Sequence, residues 1–245
     1  MVSADRTAPA GTARNSHAKP GAVVLVNPNT STTTTAMMTA IARRSLDPAR
    51  PVRGVTVARG PHMLTDPEAL RAAAPEVLAA GLRATAGGDC AALLVAAFGD
   101  PGLTRLREAV APTGVPVVGL GEAALLEAAA GGAPFGIATT TPLLADAIHA
   151  RVTALGLADR YTGIRLTAGA PERLSADPVL LLDRLERAVR ACAERDGARA
   201  VVIGGGPLGE AAEELRARCA VRVVAPIPAA CRAITRLLTG RGPTG

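Results

Sequence analysis

Two stretches of this chain end alike: Leu93-Leu94-Val95-Ala96-Ala97-Phe98-Gly99-Asp100-Pro101-Gly102 and Val201-Val202-Ile203-Gly204-Gly205-Gly206-Pro207-Leu208-Gly209. Each runs from an acidic helix end, Asp89 or Asp196, through an apolar strand into a Gly/Pro turn. Such a pair reads as two related halves. In a duplicated α/β chain the ligand site belongs in the crevice where the strand C-termini meet, so what stands at these two turns decides the chemistry.

The rest of the chain follows the same plan. Apolar, β-rich runs recur at Ala22–Val26, Val52–Val57, Ala91–Ala97, Val115–Val118, Phe135–Ala138, Gly163–Thr167, Ala200–Ile203 and Val221–Val224. Between them lie helical segments at Thr32–Ser45, Asp66–Ala86, Pro101–Val110, Gly121–Ala130, Pro142–Leu155, Asp177–Asp196, Leu208–Ala217 and Ala229–Leu238. Continuous rather than alternating apolar strands indicate parallel sheets covered on both faces, hence an α/β, doubly wound architecture. Two further pairs match in the same order: the strand ends Asn27-Pro28-Asn29-Thr30 and Thr139-Thr140-Thr141-Pro142, and the segments Val115–Ala123 and Val221–Ala229. The expectation is two pseudo-symmetric, Rossmann-like lobes, each a mainly parallel sheet flanked by helices, with a cleft between them. Lobe 1 comprises residues 21–118 plus 224–245, where the last helix returns, and lobe 2 residues 119–223. Residues 1–20 form a polar, disordered tail without a signal-type apolar run.

Composition excludes several functions. The formal charge of +6 rests on arginines interleaved with acids along helices, and two Phe and one Tyr offer no platform for stacking bases, so no nucleic-acid partner is expected. No stretch is apolar enough for a membrane, and a cytoplasmic protein follows. Lys19, in the tail, is the only lysine, which leaves no Schiff-base anchor in the folded region. Cys90, Cys192, Cys219 and Cys231 lack zinc-site spacing, and His17, His62 and His149 are scattered, so no metal centre is expected. Ala/Leu-rich helices such as Gly121–Ala130 suggest apolar surface covered in a homo-oligomer.

Asn27-Pro28-Asn29-Thr30-Ser31 sets a rigid turn before a helix, where free amides and the helix dipole suit a carboxylate or imide oxygen. Ordinary N-capping by Asn or Ser explains the same residues. Thr139 and Thr140 offer equivalent chemistry from the other half.

Together, Asn27-Pro28-Asn29-Thr30-Ser31, Gly60-Pro61, Phe98-Gly99-Asp100-Pro101-Gly102-Leu103, Gly121-Glu122-Ala123-Ala124 and Thr139-Thr140 resemble the hydantoin racemase branch of the aspartate/glutamate racemase superfamily. The resemblance covers nearly everything after the tail. It implies a two-lobed α/β enzyme that inverts a carbon next to a carbonyl without a cofactor, one cysteine from each lobe removing or returning the proton. The family places these cysteines just before Phe-Gly-Asp-Pro-Gly and inside a Leu-Gly-Cys-Ala-Gly-like turn. Here those positions are Ala97 and Gly205, which transfer no protons.

What remains is binding apparatus. Backbone amides of Phe98, Gly99 and Gly206 are positioned by motif to hold carboxylate or carbonyl oxygens, and the small residues Ala97 and Gly205 enlarge the cleft. Asn27, Ser31, Thr139 and Thr140 complete the candidate binding set. Proton transfer passes by motif position to Asp100, Glu122 and His62, each with a structural alternative: a turn cap, a helix-start carboxylate and a loop histidine. Two functions stay open. One is a cofactor-independent isomerase or lyase, including a cyclase or rearrangement catalyst, acting beside a carbonyl or carboxylate of a small molecule. The other is a catalytically silent small-molecule-binding protein.

Overall fold

The computed structural model describes residues 21–240. Residues 1–20, read above as a tail, and residues 241–245 lie outside that range. Eight strands among the described residues form two four-stranded parallel sheets with the same internal order, β2-β1-β3-β4 and β6-β5-β7-β8. In the first sheet these are β1 (Ala22–Asn27), β2 (Val52–Thr56), β3 (Cys90–Val95) and β4 (Val117–Gly119). In the second they are β5 (Phe135–Thr139), β6 (Tyr161–Leu166), β7 (Ala200–Ile203) and β8 (Arg222–Val224). The helices are α1 (Thr32–Ser45), α2 (Pro67–Ala86), α3 (Leu103–Val110), α4 (Leu120–Ala129), α5 (Ala145–Ala154), α6 (Pro171–Ala176), α7 (Pro178–Glu194), α8 (Gly209–Arg218) and α9 (Pro226–Thr239).

Side chains alternate across a strand, so each central strand feeds two cores. Val23 and Leu25 of β1, Ala92 and Leu94 of β3, Phe135 and Ile137 of β5, and Val202 of β7 all join one shared apolar cluster with α1, α4, α5 and α9. Their neighbours face outward. Val24, Val26, Leu93 and Val95 pack with α2 and α3, while Ala138, Val201 and Ile203 pack with α7 and α8. Both faces are buried in apolar side chains, which is why these strands read as continuous apolar runs.

Two helices tie the sheets together. Although α4 follows β4 of the first sheet, it packs on β7 and β8 of the second; α9 follows β8 and packs on α1, β3 and β4. The two helices also pack against each other extensively.

Most expected elements lie within a few residues of their predicted bounds, and the departures have physical causes. The predicted strand at Val115 starts at Val117, because Pro116 has no N–H for the ladder and contributes only its carbonyl, which accepts from Leu93 N at 2.9 Å. β6 begins at Tyr161, two residues earlier than expected, where that ring sits 5.6 Å from Phe135 and 5.4 Å from His149. Helix α6 was not anticipated. Six residues are too few to display a helical period.

Helix starts follow their sequence signals where a capping residue is present. Ser31 accepts from Thr34 N at 3.2 Å, and Asp66 and Asp177, each followed by proline, accept from Ala69 N at 2.8 Å and Leu180 N at 3.0 Å. α4 begins after Gly119 and has no cap of its own. Asp100 supplies it from the turn after β3: its carboxylate accepts from Gly121 N at 2.9 Å and Glu122 N at 2.7 Å. To do so Asp100 adopts φ +46°, a left-handed conformation that Asp tolerates better than most residues. Burial pushes its carboxyl from 3.8 up to about 7, against the two amide hydrogen bonds and the charge of Arg151.

Replacing Asp100 by Asn turns one acceptor into a donor facing a buried N–H, so Asp100→Asn is expected to lower unfolding free energy by about 1–3 kcal/mol in urea titrations. Between the ordinary pKa of 3.8 and about 7 the folded chain holds a proton that the unfolded chain has lost. This group's contribution to stability is therefore full below about pH 4 and lost as pH rises through about 7. Asp100→Asn is expected to remove that slope.

Candidate functional site

The turns after β3 and β7 open onto one cavity of about 300 Å³. Ala96, Ala97, Phe98 and Gly99 line it from the first turn, and Gly204, Gly205 and Gly206 from the second. The two turns approach closely. A Cβ at Gly206 would lie 2.9 Å from the Ala96 carbonyl oxygen and 2.9 Å from Met38 Sδ, so this contact requires glycine. Gly205 is less constrained: its φ of 169° is ordinary extended backbone, and a Cβ there would meet only the Leu208 side chain, at 3.0 Å.

The N–H groups of Phe98, Gly99 and Gly206 make no hydrogen bond to any described residue. Backbone amides in a protein interior are nearly always paired, and Phe98 and Gly206 are buried. Three unpaired donors from two lobes at one cavity suit an oxygen that carries or develops negative charge.

Of the remaining sequence candidates, Thr140 lines the cavity and Asn27, Ser31 and Thr139 do not. Asn27 is spent on its own turn: Nδ2 lies within hydrogen-bond distance of Asn29 Oδ1 (2.8 Å), Thr35 Oγ1 (3.0 Å) and the Ser31 carbonyl (3.1 Å), and Oδ1 accepts from Asn29 N. It thereby braces Asn29, which does line the cavity. Thr139 Oγ1 donates to the Gly204 carbonyl at 2.6 Å and holds the second turn against β5.

None of the three proton-transfer candidates lines the cavity. Asp100 is the cap described above. Glu122 lies between two arginines, taking Arg107 Nη2 at 2.7 Å and Nη1 at 3.1 Å on one side and Arg151 Nη2 at 2.6 Å on the other. Burial pushes its carboxyl up, but the Arg107 hydrogen bonds and the charges of Arg107 and Arg151 outweigh this and hold it below the ordinary range. His62 is exposed, whereas its neighbours Met63 and Leu64 line the cavity.

The ionisable side chains that do line it are Arg151, Glu210 and Glu214. Sequence reasoning passed over all three, because Arg and Glu along amphipathic helices look like solvated faces. Much of the wall is apolar, including Leu70 of α2, Ile148 of α5, and Leu181 and Leu182 of α7. No cysteine lines the cavity. Cys231 lies in the shared core and Cys192 beneath β5, and burial pushes each thiol up to about 12. Cys90 and Cys219 are likewise absent from the lining.

A hydantoin racemase from Paenarthrobacter aurescens is 27% identical over 216 residues, covering 88% of this chain and 90% of that protein. The allantoin racemase structure from Klebsiella pneumoniae superposes with a TM-score of 0.81 at 26% identity, covering 89% of this chain and 88% of that one. Arylmalonate decarboxylase shares the fold, with a TM-score of 0.60 at 21% identity over 90% of this chain and 94% of that one. The Asp/Glu/Hydantoin racemase profile spans residues 23–234, nearly all of the described chain, and with two parallel sheets whose matching turns meet at one cavity, this protein belongs to that family.

Proposed function

We propose that the chain is a cofactor-independent isomerase or lyase of this family. It acts beside a carbonyl or carboxylate of a small molecule by a route that does not use paired cysteines. The reading rests on the unpaired amides of Phe98, Gly99 and Gly206 at the cavity between the turns. An oxygen seated on them shares its charge with fixed donors, so removing a proton from, or a carboxylate group at, the adjacent carbon yields an enolate-like oxygen already held in place. Fixing the substrate's conformation against the apolar wall of the cavity serves a cyclisation or rearrangement equally well. The relatives named as hydantoin and allantoin racemases make racemisation of a cyclic ureide the parent activity to test.

With Ala97 and Gly205 at the family's cysteine positions, the proton carrier must be another group. Glu210 and Glu214 are the carboxylates on the cavity wall, and the substrate's own carboxylate or amide is the other source. The alternative, a silent binding protein, draws on one observation: neither Ala97 nor Gly205 transfers a proton where the resemblance puts the two acid/base groups.

Incubation in heavy water with 5-substituted hydantoins, allantoin and α-amino acids is expected to place deuterium at the reacting carbon of at least one class, read by proton NMR. No exchange above the protein-free rate on any of them would remove the racemase reading. The double variant Ala97→Cys/Gly205→Cys is expected to raise racemisation by about 100-fold or more, since positioned acid–base groups contribute about 10²–10⁴-fold. A Cβ at the second site meets the flexible end of the Leu208 side chain at 3.0 Å, which can give way. By contrast, Gly206→Ala is expected to cost about 1–3 kcal/mol of stability, because its methyl meets the Ala96 carbonyl.

A further inference from the structure

The cavity carries one cationic side chain, Arg151, and the mechanism above leaves it without a task. It projects from α5 of the second lobe to the acids Asp100 and Glu122, and only its Nη2 is engaged, at 2.6 Å from Glu122 Oε2 and 3.5 Å from Asp100 Oδ2. Nη1 makes no hydrogen bond to a described residue, and Nε is buried without a partner. The two acids do not use up its charge. Glu122 is also shared with Arg107, which grips it through both terminal nitrogens, and Asp100 is already committed to the amides of Gly121 and Glu122. Held at one corner, the guanidinium is fixed in orientation before any ligand arrives, which reduces the ordering cost of binding.

We propose that Arg151 is a specificity-determining residue that binds a carboxylate oxygen of the ligand, so that the cavity selects an acid bearing an apolar substituent over its neutral counterpart. The inference rests on the small-molecule reading of the cavity given above. In that reading the apolar part of the ligand packs against Leu70, Ile148, Leu181 and Leu182 of the wall, and its acid end meets Nη1 of Arg151, the terminal nitrogen without a partner, since Nε is buried. A hydrogen bond to a charged partner is worth about 1.5–3 kcal/mol, or roughly 10- to 150-fold in affinity, which suffices to discriminate acid from amide.

The test uses the full chain and a matched pair of probes, 2-phenylpropionate and 2-phenylpropionamide, titrated by calorimetry. The wild type is expected to bind the acid about tenfold or more tightly than the amide. Arg151→Gln is expected to abolish that preference by weakening the acid alone, with the amide unchanged within about twofold. Equal binding of acid and amide by the wild type, or parallel loss of both in Arg151→Gln, overturns the role of Arg151 while leaving the cavity reading intact. Failure of the wild type to bind either probe overturns both. Should Arg151→Gln not fold, phenylglyoxal labelling of the wild type, read by mass spectrometry, decides the matter. The acid is expected to protect Arg151 and the amide not to, and equal protection by both overturns the proposal.

Discussion

Two parallel sheets bury their inner faces against one common apolar layer, and everything at the cavity depends on that sharing. Val23 and Leu25 on one side and Phe135 and Ile137 on the other contribute to the same cluster, with α4 and α9 crossing between the sheets. Separating the lobes would expose this surface to water at about 25 cal/mol per Å². The two backbone turns therefore stay in register across the cleft. Gly206 against the Ala96 carbonyl is one close point of that meeting, where a side chain would press the turns apart.

Polar groups around the cleft divide into those that hold the scaffold and those that face the cavity. Asp100, Asn27 and Thr139 are buried and spend their hydrogen-bonding capacity on the protein: a remote helix cap, a turn brace and a strand-to-turn strut. This use of Asp100 explains its strained backbone, since a left-handed residue persists where its surroundings over-determine it. What lines the cavity is chiefly the two backbone turns, an apolar wall, one arginine and two glutamates. The proposed stabilisation of negative charge at an oxygen rests on that composition, and the proposed proton transfer on the carboxylates of α8 or on the ligand itself.

Local signals in the chain were strong wherever one residue type does one job. Continuous Val/Leu/Ile runs announced buried parallel strands, and Ser31, Asp66 and Asp177 announced helix starts. The matched Gly/Pro turns announced both the duplication and the place where the lobes meet. Signals were weak where the partner is remote. Nothing next to Asp100 shows that its carboxylate caps a helix beginning some twenty residues later, because that cap requires β3 and β4 to be neighbours in the sheet. Motif position suggested Asp100, Glu122 and His62 for chemistry, yet packing turned the first inward, locked the second between arginines and left the third in an exposed loop.

By itself, then, the order of residues determined the α/β class, the repeat and the absence of thiols at the two turns, since these depend on periodicity and residue identity at single positions. Tertiary structure alone decided which groups reach the cavity. Arg151, Glu210 and Glu214 sit on helices whose outward-looking charge pattern resembles any solvated face, and only the packing of α5 and α8 around the second sheet brings them to the cavity. The physical reason is range: a strand's apolar run or a cap is specified within a few residues, whereas the direction of a charged side chain is set by neighbours far away along the chain.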